Sequence, residues 1–277
     1  MSVGIKFQSR YRGLDNLGRN LAFRDAALSP TFGTSIWELI PLLASMDPAV
    51  AFQAFDDFMS LALDDTTGNP SGFKWVSDSA TGAITLPKVA GGVVNIACGI
   101  VDNNETYIQL GGAGLDTPAP FSITDLSNKP LAFQVRAKAL EHADVGIFVG
   151  LAEEGSAAAN FLTDNSGVVA DKDFVGFNIL TATPAAWNVT WKKAGQAVQA
   201  VAAAAVNADD WHTFAFIFDG VHTVYFWIDG VLVSTQALSS AATFPSAQLL
   251  APIFGLKTGE GVVKNLQVDY YKVWQAR

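Results

Sequence analysis

Three observations predict an all-β sandwich for this 277-residue chain. From about residue 51 onward, strand-length runs alternate apolar and polar side chains. Turn-forming clusters separate those runs at short intervals. Two Asp-Gly dipeptides, Asp219-Gly220 and Asp229-Gly230, divide the stretch 211–238 into three β-rich runs. Half of the residues are hydrophobic and 16% are charged, enough apolar surface for a full core without metal or disulfide staples.

The elements follow in order. Residues 1–50 read as an arm ahead of the body. Its first part is basic, with Lys6, Arg10, Arg12, Arg19 and Arg24 against Asp15 and Asp25. Its second part is apolar, Ile36-Trp37-Glu38-Leu39-Ile40-Pro41-Leu42-Leu43, and Pro41 prevents one continuous helix there. Ile36, Trp37, Leu39 and Leu42 must be covered, either by the body of this chain or by a neighbouring subunit. Residues 51–277 read as a single jelly-roll body. Leu131, Phe133, Val135 and Ala137 share one strand face, with Gln134, Arg136 and Lys138 on the other. Val145–Leu151 is apolar throughout and predicts a strand buried on both faces. Phe174–Leu180 and Trp187–Trp191 follow. Ala197–Val206 is alanine-rich, yet its valines and flanking strands predict a strand with a loop. The runs in 211–238 predict an antiparallel meander whose middle strand, Thr223–Ile228, lies inside the sandwich. Chain ends often pair in a jelly roll, which sets Phe52–Leu63 beside Val268–Trp274.

Composition excludes several classes. A net charge of -9 argues against nucleic acid as a main partner. No run reaches the length of a membrane-spanning helix, so no membrane role is expected. The start of the chain lacks a secretory signal pattern, and Cys98 has no partner for a disulfide. The expectation is assembly in a cytoplasm, with the sequons at Asn104 and Asn188 unused. The basic arm on an acidic body suits contact with an acidic surface.

Trp211-His212 opening an aromatic strand, Asp219-Gly220, Tyr225-Phe-Trp-Ile-Asp-Gly230 and the run Val268-Asp-Tyr-Tyr-Lys-Val-Trp274 resemble the concanavalin A-like lectin/glucanase superfamily. The resemblance covers roughly residues 52–277 and implies a concanavalin A-like jelly-roll β-sandwich. A narrower likeness rests on Phe55-Asp56-Asp57-Phe58-Met59, Asp102-Asn103-Asn104-Glu105, Gly111-Gly112, Val145–Leu151 and Val175-Gly176-Phe177. That order is similar to bacteriophage virion proteins, some of which decorate the capsid. The likeness implies a structural protein of the virion that binds the major capsid protein or other virion subunits. It also implies a homo-oligomer, with a trimer suggested by threefold capsid positions. Arg10, Arg12, Arg19, Arg24, Ile36, Trp37, Leu39 and Leu42 would then be the contact residues. The alternative is a carbohydrate-binding module for host-surface recognition, with Trp187 and Trp191 stacking on sugar.

Catalysis of glycoside hydrolysis needs two carboxyl groups across the scissile bond. The family's Glu-x-Asp-x-x-Glu strand is missing. Glu141 with Asp144, and Glu153-Glu154, are the nearest acids, and neither pair alternates along a strand. No enzymatic role is therefore expected. His142, His212 and His222 do not have the spacing of a shared metal site, and Cys98 reads as a small core residue. No cofactor is expected. Calcium is the one ion the loop oxygens could take, at Asp64-Asp65 with Asn69, Asp102-Asn103-Asn104, or Asp171 with Asp173.

Overall fold

The computed structural model of the chain describes residues 36–39, 48–61, 63–64, 75–79, 82–111, 119–157, 160–163, 168–180, 183–205, 209–238 and 242–277. Arg10, Arg12, Arg19, Arg24, Leu42, Asp65 and Asn69 lie outside these residues. Numbered along the chain, the strands begin with β1 (Ala51–Asp56), β2 (Leu63–Asp64), β3 (Trp75–Ser79), β4 (Ala83–Thr85), β5 (Val94–Ala97), β6 (Glu105–Leu110), β7 (Phe121–Ser122), β8 (Leu131–Ala139), β9 (Val145–Ala152) and β10 (Leu162–Thr163). They continue with β11 (Val168–Val169), β12 (Phe174–Leu180), β13 (Thr183–Lys192), β14 (Gln199–Ala205), β15 (His212–Phe218), β16 (Thr223–Ile228), β17 (Val231–Ala237), β18 (Leu249–Thr258) and β19 (Asn265–Ala276).

Two sheets form a jelly-roll sandwich. The first has the order β17-β16-β15-β8-β19-β5-β4, with β1 also on β19. The second has the order β14-β13-β12-β9-β18-β6-β3-β2, with β7 also on β18. β10 and β11 make a small separate hairpin. The expected pairing of early and late strands is present, with Ala51 opposite Ala276 and Asp56 opposite Tyr271. β9 is buried along its whole length, as its unbroken apolar run predicts. Pro252 stands in β18, which pairs β7 through Leu250 and β6 from Ile253. A residue without an amide hydrogen fits the gap where the partner on that side changes.

The meander is present. β16 lies between β15 and β17, joined by the two Asp-Gly turns. The turns differ in kind. Asp229 and Gly230 both have positive φ, 52° and 77°, and Ile228 pairs directly with Val231. That is the two-residue turn Asp-Gly favours, because its twist matches the strands. The Asp219 loop is longer, and the Asp219 carboxylate accepts from the amides of Val221, His222 and Thr223. Ala197–Val206 resolves into β14 at the edge of the second sheet, with Val201 exposed.

Between the sheets lies one core. Phe177 packs on Phe214 and Phe226, and Phe133 stacks on Phe216 at 4.9 Å. Truncating any such buried phenyl ring costs about 3–5 kcal/mol. A second cluster covers the outside of the first sheet. The short 3-10 turn Ile36–Leu39 sets Ile36 against Ala132, Ile217, Trp227 and Trp274. Trp37 packs beside them, with Lys272 Nζ 4.4 Å from its ring centre. For Ile36 the structure decides between the two coverings that the sequence left open. Ile36 is 2% exposed and is covered by the chain's own sheet. Leu39 ends the same turn.

Candidate functional site

The outward face of the second sheet has an unusual lining. Alternation sends Trp187, Val189, Val175, Phe177, Ile108 and Phe254 into the core. The same alternation turns Asn188, Thr190, Lys192, Asn178, Gln109 and Lys257 outward, yet all six are buried. Buried polar side chains are costly unless hydrogen-bonded, so their concentration on one face calls for a reason. Several are satisfied by backbone: Gln109 Nε2 donates to Glu153 O at 2.7 Å, Thr190 Oγ1 to Gln199 O at 2.8 Å, and Lys192 Nζ to Ala170 O at 3.1 Å. Asn178 differs. It is fully buried, and among the described residues neither its Nδ2 nor its Oδ1 has a partner.

Glycines deepen this face. Gly176 pairs with Gly150 across β12 and β9, and Gly255 pairs with Tyr107 across β18 and β6. A Cβ at Gly255 would lie 2.0 Å from Tyr107 Cδ1, and one at Gly150 would lie 2.9 Å from Phe148 Cζ. Two aromatic rings thus lie down over glycine backbone, forming a low platform flanked by Asn178, Asn188 and Thr190. On that platform rest Phe161 and Leu162, which lie between β9 and β12. Phe161 meets Phe148 edge-on at 4.9 Å, Phe174 at 5.5 Å and Tyr107 at 6.0 Å. Leu162 N donates to Tyr107 Oη at 3.1 Å, and Ala157 N donates to Gln109 Oε1 at 3.1 Å.

Glu153 and Asp173 meet where this segment leaves and rejoins the sheet. Lys172 Nζ is 2.7 Å from Glu153 Oε1, and Asp173 N donates to Glu153 Oε2 at 3.1 Å. Burial, then the hydrogen bond and charge of Glu153, push the Asp173 carboxyl up to about 6.

The other sequence candidates fall elsewhere. Trp187 and Trp191 share a strand face as expected, but that face is the core: they are 0% and 5% exposed, so neither offers a ring to sugar. This corrects the stacking role. His212 Nδ1 pairs with Asp229 Oδ2 and His222 Nδ1 with Asp125 Oδ1, each at 2.7 Å, so the two serve different loops. Burial would raise the Asp229 carboxyl, but hydrogen bonds from His212 and the Thr213 amide hold it below its ordinary value. Cys98 is buried, its Sγ accepting from the Lys264 amide at 3.1 Å, and burial raises its thiol pKa. Asp171 Oδ1 accepts from Gly195 N at 2.7 Å and stands 3.1 Å from Lys192 Nζ. Glu141 Oε2 accepts from the Asn265 amide at 3.0 Å. Among the described residues, no group of three or more His, Cys, Asp or Glu could hold a metal ion. Among them, no helix is long and apolar enough to cross a membrane. Sequence reasoning missed Asn178, Phe148, Tyr107 and Phe161. The glycines at 150, 176 and 255 were the available signal, but which strands they share depends on register.

The arrangement defines a concanavalin A-like sandwich with a recessed polar and aromatic face. The comparisons agree on that class. A family model described as the concanavalin A-like lectin/glucanases superfamily matches residues 147–275. A protein of unknown function from Shewanella oneidensis MR-1 is similar in structure, with a TM-score of 0.53 and 15% identity over 90% of this chain and 96% of that one. An endo-β-1,4-glucuronan lyase from the fungus Trichoderma reesei is similar at a TM-score of 0.51 and 11% identity, over 74% of this chain and 92% of that one. An endo-1,3-β-glucanase from Streptomyces sioyaensis is similar at a TM-score of 0.51 and 13% identity, over 84% of this chain and 99% of that one. No curated protein sequence matches.

The expectation of no enzymatic role is corrected by these matches. The same sandwich carries a lyase and a glucanase, so a missing acid pattern on one strand does not set the chain apart from the enzymes of this fold. The reason is structural. Acids can also meet across strands, as Glu153 and Asp173 do at the adjoining ends of β9 and β12.

Proposed function

We propose that the chain recognises carbohydrate on the outward face of its second sheet. The observation that carries this reading is Asn178, fully buried with both amide atoms unused among the described residues, beside Asn188 and Thr190 at the edge of an aromatic platform. Sugars present hydroxyl groups that take amide donors and acceptors, and apolar faces that take flat rings. The family match, described by both lectins and glucanases, supports the reading. The virion role expected from the sequence draws nothing from the family or the structures described above, and Ile36 and Trp37 are engaged within the chain.

The test is titration calorimetry of the full chain against 1,3-β-glucan and glucuronan oligosaccharides, after a glycan array to widen the set. The wild type is expected to bind at least one class, and Asn178→Leu to abolish that binding while the protein stays folded. Binding that survives Asn178→Leu removes this face from consideration. The same incubations are followed for new reducing ends and for unsaturated products, which reports any cleavage directly.

A further inference from the structure

Each sheet runs from a short strand at one end to a long one at the other. The first ends in β4, three residues with Pro87 close behind, and in β17, seven residues. The second ends in β2, two residues, and in β14, seven residues. The long ends lie together, since β14 and β17 touch across the sandwich. An edge strand presents a row of backbone donors and acceptors, which proteins blunt with shortness, charge, proline or a bulge. Neither β14 nor β17 contains a charged residue or a proline. Each has one bulge, at Ala203 and at Val233, which leaves Gln199–Ala202 and Ser234–Gln236 in regular register with β13 and β16. Among the described residues, no strand pairs with the far edge of either. Ala200, Val201 and Ala202 are exposed, so the regular part of β14 faces solvent.

We infer that this side of the sandwich is the interface with a second copy of the chain, formed by antiparallel pairing of β14 with its counterpart about a twofold axis between Ala200 and Val201. The partner is a second copy rather than one extended peptide because two edges stand side by side, at the spacing of packed sheets, about 10 Å. A peptide strand fills one of them. A second copy, turned about an axis normal to the sheets, brings β14 to β14 and β17 toward β17 at the same spacing. Such an axis makes the paired strands antiparallel. The charges agree with this sense of pairing. Lys193 precedes β14 and Asp210 follows it, both exposed. The twofold therefore sets the basic end of one edge toward the acidic end of the other. Val201, 41% exposed, gains cover across the axis against the other copy's backbone and small side chains. The second sheet then runs on through the axis into its counterpart. The inference is independent of the carbohydrate reading.

Sedimentation velocity of the full chain at micromolar concentration tests the interface. The wild type is expected to sediment with twice the chain mass of 29.3 kDa. A monomeric wild type overturns the inference. Val201→Lys sets like charges side by side across the axis and is expected to weaken association by about a hundredfold or more, leaving monomers. Val201→Glu is expected to do the same. Mixed in equal amounts, the two variants set opposite charges across the axis and are expected to recover the dimer. That recovery separates a repelled edge from a misfolded chain, because both variants must be folded to pair. Their far-UV circular dichroism and melting temperatures are expected to match the wild type, since Val201 is exposed. A dimer that survives both substitutions is built on another surface, which overturns the role of β14. Folded monomers that stay apart after mixing overturn the twofold pairing of the edge.

Discussion

Single residues mark where this fold has no freedom. Gly230 holds a φ of 77° in a two-residue turn, a region a β-branched side chain tolerates poorly. Gly230→Val is expected to lower stability by about 1–3 kcal/mol, measured as a shift of the urea midpoint at unchanged slope. Gly220 is restricted for a second reason as well, because a Cβ there would lie 2.9 Å from Pro130 Cδ. Asn178 makes the opposite case. Leucine at this buried site removes two unpaired polar atoms, so Asn178→Leu is expected to leave stability unchanged or raise it by about 1 kcal/mol. A gain in stability joined to a loss of binding would separate a binding residue from a structural one. Cys98 is buried, with its thiol pKa raised, so its reaction with an alkylating reagent is expected to be slow in the native protein and fast in denaturant.

At the scale of elements, the short turn Ile36–Leu39 works as a cover for the first sheet. Ile36→Ala is expected to cost about 2–4 kcal/mol and to increase binding of a hydrophobic dye at Trp227 and Trp274, readable by fluorescence. The sequence shows that Ile36 and Trp37 need burial, but not against what, since apart from Val50 and Ala51 their partners lie roughly a hundred residues or more away. The meander at 211–238 was legible because an Asp-Gly turn and its flanking strands are local. So were the buried β9 and the pairing of β1 with β19. The polar and aromatic outward face of the second sheet was not legible. Gly150 and Gly176 look like ordinary strand glycines until register sets them opposite each other. Glu153 and Asp173 are twenty residues apart, and only the pairing of β9 with β12 brings them into contact.

For the whole molecule, acidity acts in two directions. Asp173 favours the folded state below about pH 4 and loses that contribution as pH rises to about 6. Asp229, held below its ordinary value, contributes above the unfolded carboxyl range and loses its contribution as pH falls. Wild-type melting temperature against pH is therefore expected to show a smaller gain between pH 4 and 6 than Asp173→Asn, whose curve should rise more steeply over that window. A further consequence concerns how the molecule is made. β19, 12 residues long and later in sequence than every other strand, lies inside the first sheet. It pairs β8 along most of its length, β5 through Asn265–Val268 and β1 through Tyr271–Ala276. During synthesis the first sheet stays in separate pieces until residue 276 has emerged. The nascent chain must carry β8, β15 and β16 with one edge open, a surface on which another unfinished copy could dock. A ribosome-bound chain arrested at residue 264 is accordingly expected to remain protease-sensitive and chaperone-bound, and one extended past residue 277 by a linker long enough to clear the exit tunnel to become resistant.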